Sequence, residues 1–117
     1  MRFMMIVKSV EKSGPPPKAL MDAIDKLAEE SKRDNTMVIA GGLAPVAAST
    51  HVRVGDGKLT TTDGPFTEAK EAIVGYALVN VDSKEQAIEL SKRFWKIVGD
   101  GSGIIQRLYD PNEIPGA

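Results

Sequence analysis

Six side chains of this 117-residue sequence could take part in chemistry or ligand binding: Asp63, His51, Arg53, Phe66, Tyr76 and Arg107. Asp63 stands first in Asp63-Gly64-Pro65-Phe66, where Gly64 allows a left-handed backbone, Pro65 fixes its own φ and Phe66 needs burial. In a partly apolar pocket beside Phe66 the carboxylate could serve as a proton acceptor. The plainer reading is a turn aspartate whose oxygens accept backbone N–H groups just downstream. His51 is the single histidine and the residue type best suited to moving a proton at neutral pH, so it is the second catalytic candidate. Arg53 and Arg107 carry guanidinium forks that match a carboxylate, and Arg107 could equally pair with Glu71 or Asp63 across a sheet. Tyr76 could offer a hydroxyl to a pocket, or serve as a core or interface aromatic.

Composition removes several function classes. There is no cysteine, hence no disulfide, thiolate nucleophile or cysteine-based zinc site, and one histidine cannot form a histidine-rich metal site. Fifteen basic and 16 acidic residues leave a net charge of -1, with no basic patch of the kind that nucleic acid requires. Gly41-Gly42 lacks the glycine spacing of a dinucleotide loop, no phosphate-binding motif is present, and no cofactor is expected. The apolar run from Met1 to Val7 stops at Lys8, too short for a membrane span or a signal segment, which leaves a cytoplasmic protein as the expectation. The chain length suits one domain over residues 1–117, with 110–117 as a loose tail.

These residues must be positioned by a small set of elements. Phe3 to Val7 reads as a central strand covered on both faces or at an interface, and Ser9 to Pro17 as a loop. From Lys18, the 3–4 spacing of Leu20, Met21, Ile24, Leu27, Ala28 and Ser31 predicts an amphipathic helix ending at Asp34-Asn35. Thr36 to Ala40 follows as a strand. His51 to Val54 and Lys58 to Thr62 read as a hairpin with two possible registers. A two-residue Asp56-Gly57 turn pairs Val54 with Leu59, and a three-residue loop sets Leu59 against Arg53. The first is preferred, because it gathers Val52, Val54, Leu59 and Thr61 on one face. It leaves His51 and Arg53 on the other face, away from Asp63, which argues against a simple His51–Asp63 dyad. Ala72 to Val81 is the longest predicted strand, with Gly75 marking a bulge or a close backbone approach. Ser83 and Gln86 form a capping box for a second helix that Gly99 stops, and Ile104 to Tyr109 is the last strand.

The order β-α-β, inserted hairpin, β-α-β predicts an α+β, ferredoxin-like fold: four strands in one antiparallel sheet and both helices on one face. The other face would then be buried against a second copy, giving a homodimer.

The stretch Asp63-Gly64-Pro65-Phe66 with Glu68, Lys70 and Glu71 resembles the signature of the YCII-related, DGPF-motif family. Gly42-Leu43, Val52-Arg53-Val54, Asp56-Gly57, Thr62, Gly75-Tyr76 and Arg107 look like the same pattern, over about residues 1–110. Leu108 stands where the family usually has a proline. The resemblance implies a dimeric α/β barrel of the ferredoxin-like type. Relatives in the wider superfamily isomerise or dehalogenate small organic acids, and smaller members carry a proposed His–Asp acid–base pair. Asp34 looks like that aspartate, but the histidine's place falls near Asp25, so the pair is broken here. The resemblance thus implies a small-molecule-binding protein, with lyase- or isomerase-like chemistry on an organic acid as its enzymatic form. Other DGPF-type members look like companions of extracytoplasmic-function sigma factors, which implies an accessory role through protein contacts as the alternative.

Overall fold

Phe3 and Met5 alternate with Met4 and Ile6 along the first strand, and that alternation decides which side of the sheet the helices cover. The computed structural model describes residues 1–10, 16–65 and 71–113. Phe66, Thr67 to Lys70 and the last four residues of the tail lie outside the described residues, so the expected seat for the Phe66 ring does too. The elements are β1 (Arg2–Ser9), α1 (Lys18–Arg33), β2 (Met37–Gly42), a 3₁₀ turn (Val46–Ala48), β3 (Thr50–Gly55), β4 (Lys58–Asp63), β5 (Ala72–Asn80), α2 (Lys84–Val98) and β6 (Ser102–Arg107).

Four strands form an antiparallel sheet in the order β2-β5-β1-β6, and β3 and β4 pair only with each other. That is the ferredoxin-like plan with a hairpin inserted between its second and third sheet strands. Phe3 stands opposite Val79, and Met5 opposite Ala77 and Ile105, which puts these residues on one face. There they form the core with Leu27 of α1, Ala87 and Leu90 of α2, and Val81. Ile6, Tyr76, Leu78 and Ile104 take the other face, where Ile39 and Ile104 are 49% and 41% exposed.

Both helices begin and end where local chemistry demands. The Ser83 hydroxyl accepts from the Gln86 N–H at 3.2 Å, while the Gln86 carboxamide accepts from the Asp82 N–H at 2.9 Å. The box thus closes one residue earlier than in the usual arrangement, in which the side chain returns to the cap residue itself. Gly99, at φ 92°, closes α2 by donating to the Trp95 carbonyl. Pro17 caps α1 from outside the helix, and the Ser31 hydroxyl, almost wholly buried, donates to the Leu27 carbonyl at 2.8 Å. Met1 and Val81 bond in both directions beyond the β1–β5 ladder, which extends that pairing past the end of β5.

The hairpin has the expected register, Val54 opposite Leu59 and Gly55 opposite Lys58, around Asp56 and Gly57 at φ 50° and 74°. Every residue of both strands is exposed, and Val52, Val54 and Leu59 are 63%, 72% and 67% so. The radius of gyration, 16.5 Å, exceeds the roughly 13 Å of a compact chain of this length, as a hairpin held away from the body requires.

Candidate functional site

The sheet carries an unusual rung. Gly42 of β2 stands opposite Gly75 of β5, Gly75 opposite Val7 of β1, and Val7 opposite Gly103 of β6. Three of the four residues on this rung therefore put no side chain toward the helices. Nearer the Met1 end the same face carries Phe3, Met5 and Val79, which fill the gap between sheet and helices. At the glycine rung the gap stays open, and a cavity of about 1240 Å³ lies there. Leu20, Ile24 and Ala28 of α1 and Phe94, Trp95 and Val98 of α2 contribute to its walls.

Close backbone approach accounts for the glycines individually. A Cβ on Gly75 would lie 3.2 Å from the Gly41 carbonyl oxygen, and the β1–β5 register shifts beside it, between Val7 and Lys8. Both expectations for Gly75 are thus realised together. A Cβ on Gly103 would meet the Ile6 carbonyl at 3.2 Å and the Trp95 ring at 3.3 Å. The indole thus lies close against Gly101 and Gly103 at the start of β6, with Phe94 edge-on to it at 5.3 Å between ring centroids. Gly42 differs, because a Cβ there would meet only the Val74 carbonyl, at an ordinary 3.8 Å.

The polar residues lining the cavity are few. Asp25, Glu71 and Asp100 are acidic and exposed, and Ser9 and Ser91 also line the space. The Glu71 carboxylate accepts from the Ser102 hydroxyl, bridging the ends of β5 and β6. Among the described residues the lining includes no lysine, arginine or histidine.

Of the five expected site residues that are described, only one borders this space. Tyr76 does so from β5, but its ring packs over Gly41 on the opposite face: a Cβ on Gly41 would come within 2.9 Å of the phenolic oxygen. Asp63 ends β4 in cross-strand register with Thr50, whose hydroxyl donates to Asp63 Oδ1 at 2.6 Å. The carboxylate therefore bonds across the hairpin, because β4 runs on through residue 63 instead of turning before it. The downstream N–H groups to which it was expected to bond belong to residues 66–70. Gly64 donates to the Ser49 carbonyl, and the Gly64–Pro65 peptide is cis. His51 stands opposite Thr62 and Arg53 opposite Thr60, on the hairpin face away from Asp63.

Arg107 stands at the far end of β6, opposite Phe3, and its expected partners Glu71 and Asp63 are not the ones it meets. Its guanidinium instead holds Glu113 through two bonds of 2.7 and 2.9 Å, and the Asp110 N–H also donates to Glu113. Those bonds, the arginine's first and the backbone's second, push the Glu113 carboxyl down to about 2, and the same pair raises Arg107. The start of the tail, through Glu113, is thus bonded to β6. Asp25 and Asp34, the two positions matched to the family's acid–base pair, lie nine residues apart on one helix, roughly 13 Å along its axis. Asp34 is the C-cap of α1, at the opposite end from the cavity.

The residues that build the cavity carried weak signals. Gly42, Gly75 and Gly103 sit in three different strands, and only the strand register brings them onto one rung. Trp95 and Phe94 belong to a helical apolar stripe, which looks the same in sequence whether it meets side chains or open space. Among the described residues no group of acidic or histidine side chains could hold a metal ion. No described helix is long and apolar enough to cross a membrane.

Fold and cavity together define an α+β, ferredoxin-like domain with a largely apolar space between its helices and sheet. The chain belongs to the YCII-related domain family, which it matches over residues 1–96. It is 32% identical over 87 residues to an uncharacterized protein of Rhizobium meliloti (strain 1021), covering 67% of this chain and 70% of that one. Among solved structures it is similar to 5-chloro-2-hydroxyhydroquinone dehydrochlorinase from Burkholderia phenoliruptrix AC1100, in complex with 2,5-dihydroxybenzoquinone. That similarity covers 93% of this chain and 94% of the other, at 15% identity and a TM-score of 0.48.

Proposed function

We propose that the protein binds a small organic molecule in the cavity above the glycine rung, and that it does so as a homodimer. The absence of side chains on one rung carries this reading. A row of large residues there would complete the core, whereas Gly42, Gly75 and Gly103 leave about 1240 Å³ beside two aromatic rings. That is ample for a ligand, since small-molecule sites typically run from about 300 to 1,000 Å³.

The dimer follows from the face opposite the helices. Met4, Ile6, Tyr76 and Leu78 are half-buried there, with Ile39 and Ile104 more exposed, and two such faces are self-complementary under a two-fold axis. The hairpin projects from the same chain with its own apolar stripe of Val52, Val54 and Leu59, and reaches toward the second copy. Asp63, His51 and Arg53 travel with it, so any acid–base role they have belongs to that contact and not to the cavity. Among the described residues an organic acid finds no clamp in the cavity, because neither Arg53 nor Arg107 lines it.

Gly42→Leu tests the binding site directly. The backbone accepts a side chain at this position, and the added leucine fills the open rung. A neutral solvatochromic dye such as Nile red should bind the wild-type dimer at one molecule per chain and lose at least about tenfold in affinity on Gly42→Leu, with the fold intact by circular dichroism. Equal binding by the two proteins would rule out this cavity as the site.

A further inference from the structure

We infer that the β3–β4 hairpin is an exchanged arm: its apolar face, Val52, Val54 and Leu59, lies on a second copy of this chain, at the margin of that copy's open sheet face. This deepens the homodimer reading and rests on it. The hairpin itself demands a cover. A lone two-stranded hairpin is marginal at best in water and needs a third strand or a packed layer to hold it. Yet Val52, Val54 and Leu59 are 63%, 72% and 67% exposed. Val54 and Leu59 pair beside the Asp56-Gly57 turn, at the far end from Asp63 and the segment that follows it. The base, by contrast, is closed: Thr50 donates to Asp63 across the strands, and Gly64 donates to the Ser49 carbonyl. The arm is held where it leaves the body and bare where it ends.

Shape and area single out the second copy as the occupant. The chain is a slab 45 by 44 by 19 Å, and 19 Å is about the depth of one sheet carrying one layer of helices. The hairpin therefore runs sideways within the slab instead of standing off it, and it overhangs a copy stacked on the open face. Four strands of about six residues make that face roughly 20 Å by 20 Å, or about 400 Å². A stable interface needs about 800 Å² from each partner. Sheet against sheet alone falls short by half. Each arm adds roughly 200 Å² of its own and covers as much of the other copy, which brings the contact to that size. The arm arrives where the edge strands β2 and β6 leave Ile39 and Ile104 49% and 41% exposed. Apolar surface then meets apolar surface on both sides of the seam, as the core of a homodimer interface requires. His51 and Arg53, on the opposite face of the arm, stay outside it.

The sequence has no cysteine, so a single introduced thiol addresses the arm directly. Wild type should scatter light as a particle of twice 12.6 kDa. The Val54→Asp/Leu59→Asp double variant should raise the dimer dissociation constant at least about a hundredfold, with helix content unchanged by circular dichroism. A benzophenone attached at Val54→Cys should join two copies covalently on illumination, and mass spectrometry should map the bond to β2 or β6 of the other copy. The same label at Arg53→Cys, on the outer face, should join them far less. A double variant that dimerises like wild type, equal crosslinking from the two positions, or a crosslink from arm to arm would overturn the inference while leaving the sheet-to-sheet dimer. A wild-type particle of 12.6 kDa would overturn the homodimer reading itself, and this inference with it.

Discussion

Gly101→Ala asks whether Trp95 truly lies against the start of β6. A Cβ at position 101 would sit 2.6 Å from Trp95 Cζ3, 2.8 Å from Cη2 and 2.7 Å from the Lys8 carbonyl oxygen. All three distances are far inside van der Waals contact. The indole can swing away into the cavity, but the Lys8 oxygen belongs to the backbone of a central strand and cannot. Overpacking of this kind costs typically 1–3 kcal/mol, so we expect a loss of about 2 kcal/mol, or roughly 8 °C in Tm for a chain of this size. Thermal and urea unfolding followed by circular dichroism measure it. Gly55→Ala is the control, because a Cβ there meets nothing within 4 Å, and its effect should stay within about 0.5 kcal/mol. Repeating Gly101→Ala in a Trp95→Phe background should recover about 1 kcal/mol, the share of the clash that belongs to the ring. A Gly101→Ala protein as stable as wild type would refute the packing of Trp95 on β6, and with it the aromatic wall of the cavity.

Three further outcomes follow from the structure. Ser83→Ala should destabilise the protein by about 1 kcal/mol in urea unfolding, since the hydroxyl satisfies the Gln86 N–H at the start of α2. Glu113 has its folded pKa depressed from 4.5 to about 2, so what it contributes is present above pH 4.5 and is lost as pH falls through about 2. Side-chain carboxyl NMR should therefore place its midpoint well below the other glutamates, and Arg107→Gln should return it to their range; a wild-type midpoint near 4.5 would contradict the clasp. Ile104→Glu places a charge on the open face of the sheet and should convert a particle of twice 12.6 kDa into one of 12.6 kDa by light scattering, without loss of helix content.

Much of the architecture was legible because each signal was local. The Leu20/Ile24/Leu27 stripe, the Ser83–Gln86 pair, Gly99 and the Asp56-Gly57 turn each specify their element within a few residues. Element order then carries the topology. Boundaries were harder: Ala72 to Val81 loses Val81 as a strand residue, since its partner is Met1, beyond the end of the ladder. Site residues were hardest. Arg107 is a plausible anion clamp until Glu113, six residues on, turns back to meet it, and that return depends on the fold of the tail. The cavity itself is written as missing side chains at Gly42, Gly75 and Gly103, three positions that no periodicity connects.

A hollow that owes its size to bare backbone can be resized without rebuilding anything around it. Gly75 and Gly103 are pinned by neighbouring carbonyls, but Gly42 has room for any modest side chain. Each choice there would trim the space by a set amount while the sheet and both helices stay where they are. Relatives of this fold could therefore share one scaffold and differ in what they accept by the volume of a single edge-strand residue.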